Sequence, residues 1–80
     1  MKIPAIKKLV ENYSPEQLYA AEHALMNEEP LPIEIEGDDE GEQLTHILAA
    51  IWVIGDMQLN TCDFRSSIRR YGEMVRNSIN

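Results

Sequence analysis

The stretch that decides the fold is EGEQLTHILAAIWVIGDMQLN, residues 40–60. Large apolar residues recur in it at helical spacing and form the predicted core stripe: Leu44, Ile47, Leu48, Ile51 and Ile54. The other sides are apolar as well, through Ala49, Ala50, Trp52 and Val53. Because a helix that is apolar all round must be covered all round, we expect the central helix of the protein, or a helix that uses one face as a subunit interface.

Three further helices are predicted around this segment, over about 4–12, 15–27 and 64–79. The clearest start signal is Ser14-Pro15-Glu16-Gln17, in which a serine N-cap and a glutamine three residues later form a capping box. The last helix carries an apolar stripe at intervals of three and four: Phe64, Ile68, Tyr71, Val75 and Ile79. We expect Trp52 and Tyr71 to be mostly buried, as aromatic residues at helical spacing usually are.

Residues 31–36 form an extended or short β segment, because Pro30 and Pro32 exclude a helix there. Leu31, Ile33 and Ile35 alternate with polar residues or proline, which is the period of a half-buried strand. Two interpretations stay open: an extended connector laid over the helices, or a strand that pairs with the same segment of a second copy. The predicted fold class is mostly α, a single compact four-helix domain over residues 1–80.

Charge is strongly polarised along the chain. The net charge is −7, yet residues 16–42 hold ten acidic residues and no lysine or arginine, while both ends are basic. An acidic protein is not expected to bind nucleic acid, since phosphate contacts need a basic surface. The longest apolar run, residues 47–55, is about half of what a bilayer span needs, so no membrane partner is expected. The single cysteine suits a reducing compartment, and we expect a cytoplasmic protein.

The candidate interaction surface combines the acidic connector with the central helix. Its residues are Ile33, Glu34, Ile35, Glu36, Asp38, Asp39, Glu40 and Trp52. The carboxylates suit a solvated loop, a docking surface for a basic partner or for the chain's own basic ends, or a site for a hard cation. The EF-hand spacing is missing, because the twelfth position counted from Asp38 is Ala49.

No constellation of residues predicts catalysis, a metal centre or a cofactor, and we expect a protein that is not an enzyme. His23 and His46 have no partners at metal-ligand spacing and are expected to be ordinary surface or helix-flank histidines. Cys62 lies next to a helix start, a position at which thiols can become reactive. A redox role for Cys62 therefore stays open beside that of a non-catalytic thiol.

Two stretches resemble a known family: MKIPAIKKLVENYS, residues 1–14, and EGEQLTHILAAIW, residues 40–52. They are similar to a family of small, functionally uncharacterised proteins of about this length, found mainly in Bacteroidota, and the similarity extends over nearly the whole chain. The resemblance implies a bacterial cytoplasmic protein with no assigned activity, and it carries over no functional residue.

These features predict a small non-enzymatic module for protein interaction or homodimerisation. Its contacts would come from the acidic connector and the apolar central helix, and its partner is a protein, a second copy of the chain included. Two alternatives stay beside it. One is an accessory of thiol-redox chemistry acting through Cys62, and the other is a metal-binding regulator acting through the acidic loop.

Overall fold

Four helices carry the fold of this computed structural model, which describes residues 1–78. Their bounds are α1 Ile3–Asn12, α2 Pro15–Met26, α3 Glu40–Asn60 and α4 Phe64–Ser78. The predicted four-helix architecture is confirmed, and the predicted helix ends agree with the observed ones to within one residue. Ile79, the last member of the stripe predicted on α4, lies outside the described residues.

The helix ends follow from local side-chain chemistry. Ser14 Oγ accepts a hydrogen bond from the Gln17 N–H (3.3 Å), and the Gln17 side chain accepts one from the Ser14 N–H (2.9 Å). The predicted capping box is therefore confirmed. Asp39 caps α3 by accepting a hydrogen bond from the Glu42 N–H at 2.7 Å. At the other end of α3, Thr61 adopts a left-handed backbone (φ 49°), which ends the helix and turns the chain towards α4.

α3 is the centre of the fold, since α1, α2 and α4 each pack against it. Its inward face consists mainly of small or medium side chains, all of them buried: His46, Ile47, Ala49, Ala50 and Val53. The radius of gyration is 12.3 Å, close to the ~12 Å expected of a compact chain of this length.

The predicted core stripe of α3 is wrong in part. Of its five residues only Ile47 is fully buried, and Leu48 leaves 42% of its surface exposed. The physical reason is the size of the side chains. Ala49 and Ala50, both fully buried, let neighbouring helices approach α3 closely and pack at high density. Leu44, Ile51 and Ile54 are therefore half-buried at the margin of the core instead of at its centre.

The connector between α2 and α3 is extended and forms no strand within residues 1–78. This agrees with the extended form of the prediction for residues 31–36 and does not support its β form. The alternation of apolar and polar residues in the connector nevertheless gives it one side that faces the core. Ile35 is buried on that side, and Leu31 and Ile33 pack half-buried against the core. The backbone finds its partners on α3. The Ile35 carbonyl accepts a hydrogen bond from Gln43 Nε2 at 3.0 Å, so this part of the chain is held without a second strand.

Gly37 is the one glycine whose backbone approaches another segment closely. A Cβ atom there would lie 2.7 Å from Gln43 Cγ and 2.9 Å from the Gln43 backbone nitrogen. Only a residue without a side chain lets the connector lie this close to α3.

Candidate functional site

The acidic connector, residues 27–39, lies against the chain's own basic N-terminus. Lys8 Nζ is 3.2 Å from Glu36 Oε1, and Lys2 Nζ is 3.5 Å from Asp38 Oδ1. Both lysines are more than half exposed, so each pair contributes at most about 1 kcal/mol to stability. The hydrogen bond from the Asp38 N–H holds the pKa of Glu42 below its ordinary value, with a further contribution from Lys2.

The other residues of the predicted surface near the connector differ in how far they are buried. Ile35 is buried and Ile33 is half-buried against the core. Asp39 caps α3, while Glu34 and Glu40 are exposed. The apolar members of the connector therefore turn towards the core, while its acids stay exposed and two of them are paired within the chain.

His46 has a structural role that the sequence analysis missed, and its predicted surface position is wrong. The ring is fully buried. Nε2 accepts a hydrogen bond from the Lys2 backbone N–H at 2.9 Å, and Nδ1 lies 2.8 Å from the Glu36 carbonyl oxygen. Since a carbonyl can only accept, Nδ1 carries the proton and the ring is the neutral tautomer. One feature of the sequence does indicate that His46 is buried. Ala49, Ala50 and Val53 follow it by three, four and seven residues, so all four lie on the same face of α3.

The outer face of α3 carries an exposed apolar stripe. This α3 stripe consists of Leu48, Ile51, Trp52, Gly55 and Leu59, with Tyr19 of α2 beside it. Leu59 is 84% exposed, Tyr19 is 55% exposed and Leu48 is 42% exposed. The intervals of three and four along α3 are those of a helix that packs against another helix. One charged residue, Asp56, lines the groove beside the stripe, and its carboxylate is paired with Arg70.

Trp52 joins the α3 stripe to the core. Its ring packs against Tyr71 with 5.5 Å between the ring centroids, in a tilted arrangement that aromatic pairs favour. Tyr71 is buried as predicted, and burial raises the pKa of its hydroxyl. Trp52 itself is only half-buried. It forms one wall of an open groove with Tyr19, Gly55 and Leu59, so this aromatic residue of the predicted surface does face solvent in part.

A second polar cluster lies where α3 turns into α4. Arg70 Nη2 donates to Asp56 Oδ2 at 2.6 Å and lies 2.9 Å from Cys62 Sγ. The side chain of Asp56 is only 9% exposed. The hydrogen bond from the Arg70 guanidinium lowers the pKa of this carboxyl group from 3.8 to about 2. Cys62 is half-buried, and its Sγ is 3.7 Å from Asp56 Oδ2. The thiol therefore sits beside a fixed cation, in a groove that also contains Trp52 and Met74.

The part of the chain that the structure describes offers neither a metal centre nor a membrane span. No three or more His, Cys, Asp or Glu residues among positions 1–78 are grouped so that they could hold a metal ion. None of the four described helices has both the length and the apolarity needed to cross a bilayer.

Comparison with known proteins gives a family and no activity. No curated protein and no solved structure matches the chain. The profile of one protein family, described as a family of unknown function (DUF6952), matches residues 1–80. The resemblance to a small uncharacterised family is thereby confirmed, while its taxonomic range stays a prediction. The chain belongs to the family of unknown function DUF6952.

Proposed function

We propose that this protein is a non-enzymatic interaction module that forms a homodimer through the α3 stripe. The observation that carries the proposal is the exposure of Leu48 (42%) and Leu59 (84%) along one face of the central helix, with the exposed Tyr19 of α2 beside them. Apolar patches of this kind on a small protein usually mark an interaction site. The lone cysteine favours a cytoplasmic setting for it.

A second copy of the chain is the partner that this surface fits best. In a twofold dimer each surface meets its own copy, and the carboxylate that lines the groove, Asp56, is already neutralised by its salt bridge with Arg70. Gly55 lies in the middle of the stripe, and a Cβ atom placed there would meet nothing within 4 Å. Such a glycine weakens α3 by about 1 kcal/mol relative to alanine without helping the packing of the chain, but it leaves a recess for a side chain of the opposing helix.

The small size of the protein supports the same conclusion. A domain of 80 residues buries only roughly 60–65% of the surface that its unfolded chain exposes. Domains of this size commonly add a disulfide, a metal or a second copy, and a single cysteine provides no disulfide within the chain. Pairing of α3 with α3 would cover Trp52 and Leu59 and extend the core across the dimer axis.

Sedimentation equilibrium over a range of protein concentrations tests the proposal. The wild-type protein should convert from monomer to dimer as its concentration rises, and the fluorescence of Trp52, the only tryptophan, should shift to shorter wavelength with it. Leu59→Glu and Leu48→Glu each place a charge on the stripe and should weaken dimerisation roughly tenfold or more, which corresponds to about 1.4 kcal/mol.

Met26→Glu is the matched control, because Met26 is 68% exposed on α2 but lies outside the stripe. This variant should dimerise like the wild type. A wild-type protein that stays monomeric at high micromolar concentration would disprove the homodimer. An equal loss of dimerisation in the Met26 variant would show that the stripe is not the contact.

The Arg70–Cys62 contact favours a second candidate function, thiol–disulfide exchange with a partner protein. In this step the Cys62 thiol gives its proton to solvent, and its sulfur attacks a disulfide of the partner. A mixed disulfide forms, and the partner's other sulfur leaves as a thiolate. Arg70, 2.9 Å from the sulfur, would stabilise the attacking thiolate.

The rate of Cys62 alkylation by iodoacetamide tests this second candidate. Wild-type protein should react faster than Arg70→Gln at the same pH, because the variant loses the positive charge beside the sulfur. Arg69→Gln, which changes a neighbouring arginine outside the salt bridges, should react like the wild type. Equal rates in all three proteins would remove the support for a reactive thiol.

A further inference from the structure

The positive charges of this acidic protein fall into two groups. Lys2, Lys8 and Arg70 form salt bridges with carboxylates of the chain. Among residues 1–78, no carboxylate lies within 4 Å of the other four cations: Lys7, Arg65, Arg69 and Arg76. In a protein of net charge −7, acidic side chains are abundant, so cations without a carboxylate partner among the described residues call for a physical explanation.

Two of these cations flank an apolar groove between α1 and α4. This α1–α4 groove has a volume of about 440 Å³ and is lined by Ile3, Lys7, Asp63, Phe64, Arg65 and Ile68. Ile3 is 50% exposed, while Phe64 and Ile68 pack partly against the core. Asp63 is engaged as the cap of α4, where its Oδ1 accepts a hydrogen bond from the Ser66 N–H at 2.9 Å.

The remaining cations extend the basic rim of the groove along α4. Arg65, Arg69 and Arg76 are separated by four and seven residues, so they lie on one face of the helix. At 1.5 Å per residue this row of guanidinium groups is about 16 Å long. The apolar groove therefore opens beside a linear array of positive charge.

We propose that the α1–α4 groove binds an acidic peptide segment of a partner protein. An apolar side chain of the peptide lies between Ile3 and Ile68, and carboxylates on either side of it bind Lys7 and Arg65. Further carboxylates along the peptide meet Arg69 and Arg76. Charge complementarity supports this occupant, since arginine binds carboxylates through paired hydrogen bonds of defined geometry.

Other polyanions fit this surface less well. A nucleic acid or an anionic bilayer presents charge over a wide area and would also meet the field of the protein's fourteen carboxylates. A short peptide places a few charges next to the cations alone. The groove is also separate from the α3 stripe, since the two sets of lining residues have no member in common.

Fluorescence anisotropy with a labelled synthetic peptide, in which glutamates alternate with leucine and phenylalanine, tests the proposal. The peptide should bind saturably at low salt, and binding should weaken as the salt concentration rises. Versions of the peptide with glutamine in place of glutamate, or with serine in place of the apolar residues, should bind at least several-fold more weakly.

The neighbouring lysines of α1 provide a matched pair of variants. Lys7→Gln combined with Arg65→Gln should weaken binding roughly tenfold, as expected for two exposed charge pairs. Lys8→Gln combined with Arg70→Gln makes the same change in net charge at cations that are already paired, and it should retain most of the affinity. Leu59→Glu should bind the peptide like the wild type, which separates this result from the outcome of the homodimer test.

Three results would overturn the proposal. One is the absence of saturable binding by the glutamate peptide, with circular dichroism showing a folded protein. Another is an equal loss of affinity in the two double variants. The third combines two observations: the glutamate peptide binds no better than its glutamine version, and vesicles of phosphatidylglycerol bind in a way that depends on Lys7 and Arg65. That result would assign the groove to a membrane surface.

Discussion

The two faces of α3 differ in a way that reverses the usual relation between size and burial. The inner face is built on Ala49, Ala50 and Val53, which are fully buried, together with Ile47 and the polar His46. The outer face, the α3 stripe, carries the exposed Leu48 and Leu59 together with Ile51 and Trp52, which are half-buried against the core. A central helix surrounded by three others gains from small residues on the side where those helices approach it closely.

Burial within the chain and apolar character are therefore separate properties of this helix. Full burial of a leucine or isoleucine side chain is worth about 1.5–3 kcal/mol, and the stripe forgoes part of that gain in the isolated chain. A partner that covered the stripe would bury these side chains and restore that part of the free energy. The inner face thus contributes most to the stability of the fold, and the outer face is the one through which we propose association.

The largest expected difference between the two faces is in stability. Ile47→Ala, at a fully buried position, should lower the free energy of unfolding by about 3 kcal/mol, because it removes buried methyl groups and leaves a cavity. Leu48→Ala, one residue further on, should lower it by less than about 1 kcal/mol. Urea denaturation at low protein concentration measures both. Equal effects would show that the two faces do not differ in the monomer.

A polar residue of the inner face gives the next largest effect. His46→Leu should lower the free energy of unfolding by about 2 kcal/mol, because it leaves the Lys2 N–H and the Glu36 carbonyl without their partner. His23→Leu, at an exposed position of α2, is the control and should change stability little. If thermal unfolding shows the two variants to be alike, His46 does not hold the N-terminus and the connector to α3.

Gly55→Ala is expected to change stability and association in opposite directions. The substitution should raise the free energy of unfolding of the monomer by about 0.5–1 kcal/mol, because alanine favours the helix and the added Cβ meets no other atom. It should also weaken dimerisation, since it fills the recess in the stripe. Gly72→Ala on α4 is equally unhindered and should stabilise the protein without any change in sedimentation. A Gly55 variant that dimerises at least as well as the wild type would place the contact elsewhere.

The smallest effect is expected at Asp56, at the border between the two faces. Its pKa is lowered from 3.8 to about 2, mainly by the hydrogen bond from Arg70. The carboxylate therefore stabilises the fold above about pH 4, and this contribution is lost as the pH falls from about 4 to about 2. Asp56→Asn should lower the melting temperature at pH 7, and the difference from wild type should shrink over that range. A difference that is independent of pH would show that the charge contributes nothing.

Much of the fold could be predicted from the sequence, because helix ends depend on near neighbours. The Ser14–Gln17 capping box and the Asp39 cap each involve residues three positions apart. The alternation of Leu31, Ile33 and Ile35 correctly indicated an extended segment with one apolar side. The β assignment failed there, because a strand needs a partner strand, and the carbonyl of Ile35 is instead bound by a side chain of α3.

The candidate site could be predicted only in outline. Trp52 was placed correctly on the central helix, where it is half-buried against the core, while its part in an interface stays a prediction. Glu36 and Asp38 proved to be paired with Lys8 and Lys2. The sequence shows that acidic and basic segments exist, but the pairing between them depends on where α1 lies relative to the connector.

By itself, the sequence of this protein determined the number, the ends and the apolar character of the helices, since these depend on residues within one or two turns of each other. Only the tertiary structure decided which face of α3 is buried, because periodicity cannot orient a helix that is apolar on every side. It also decided the role of His46, whose partner Lys2 lies 44 positions away. A contact over that distance exists only once the helices have packed.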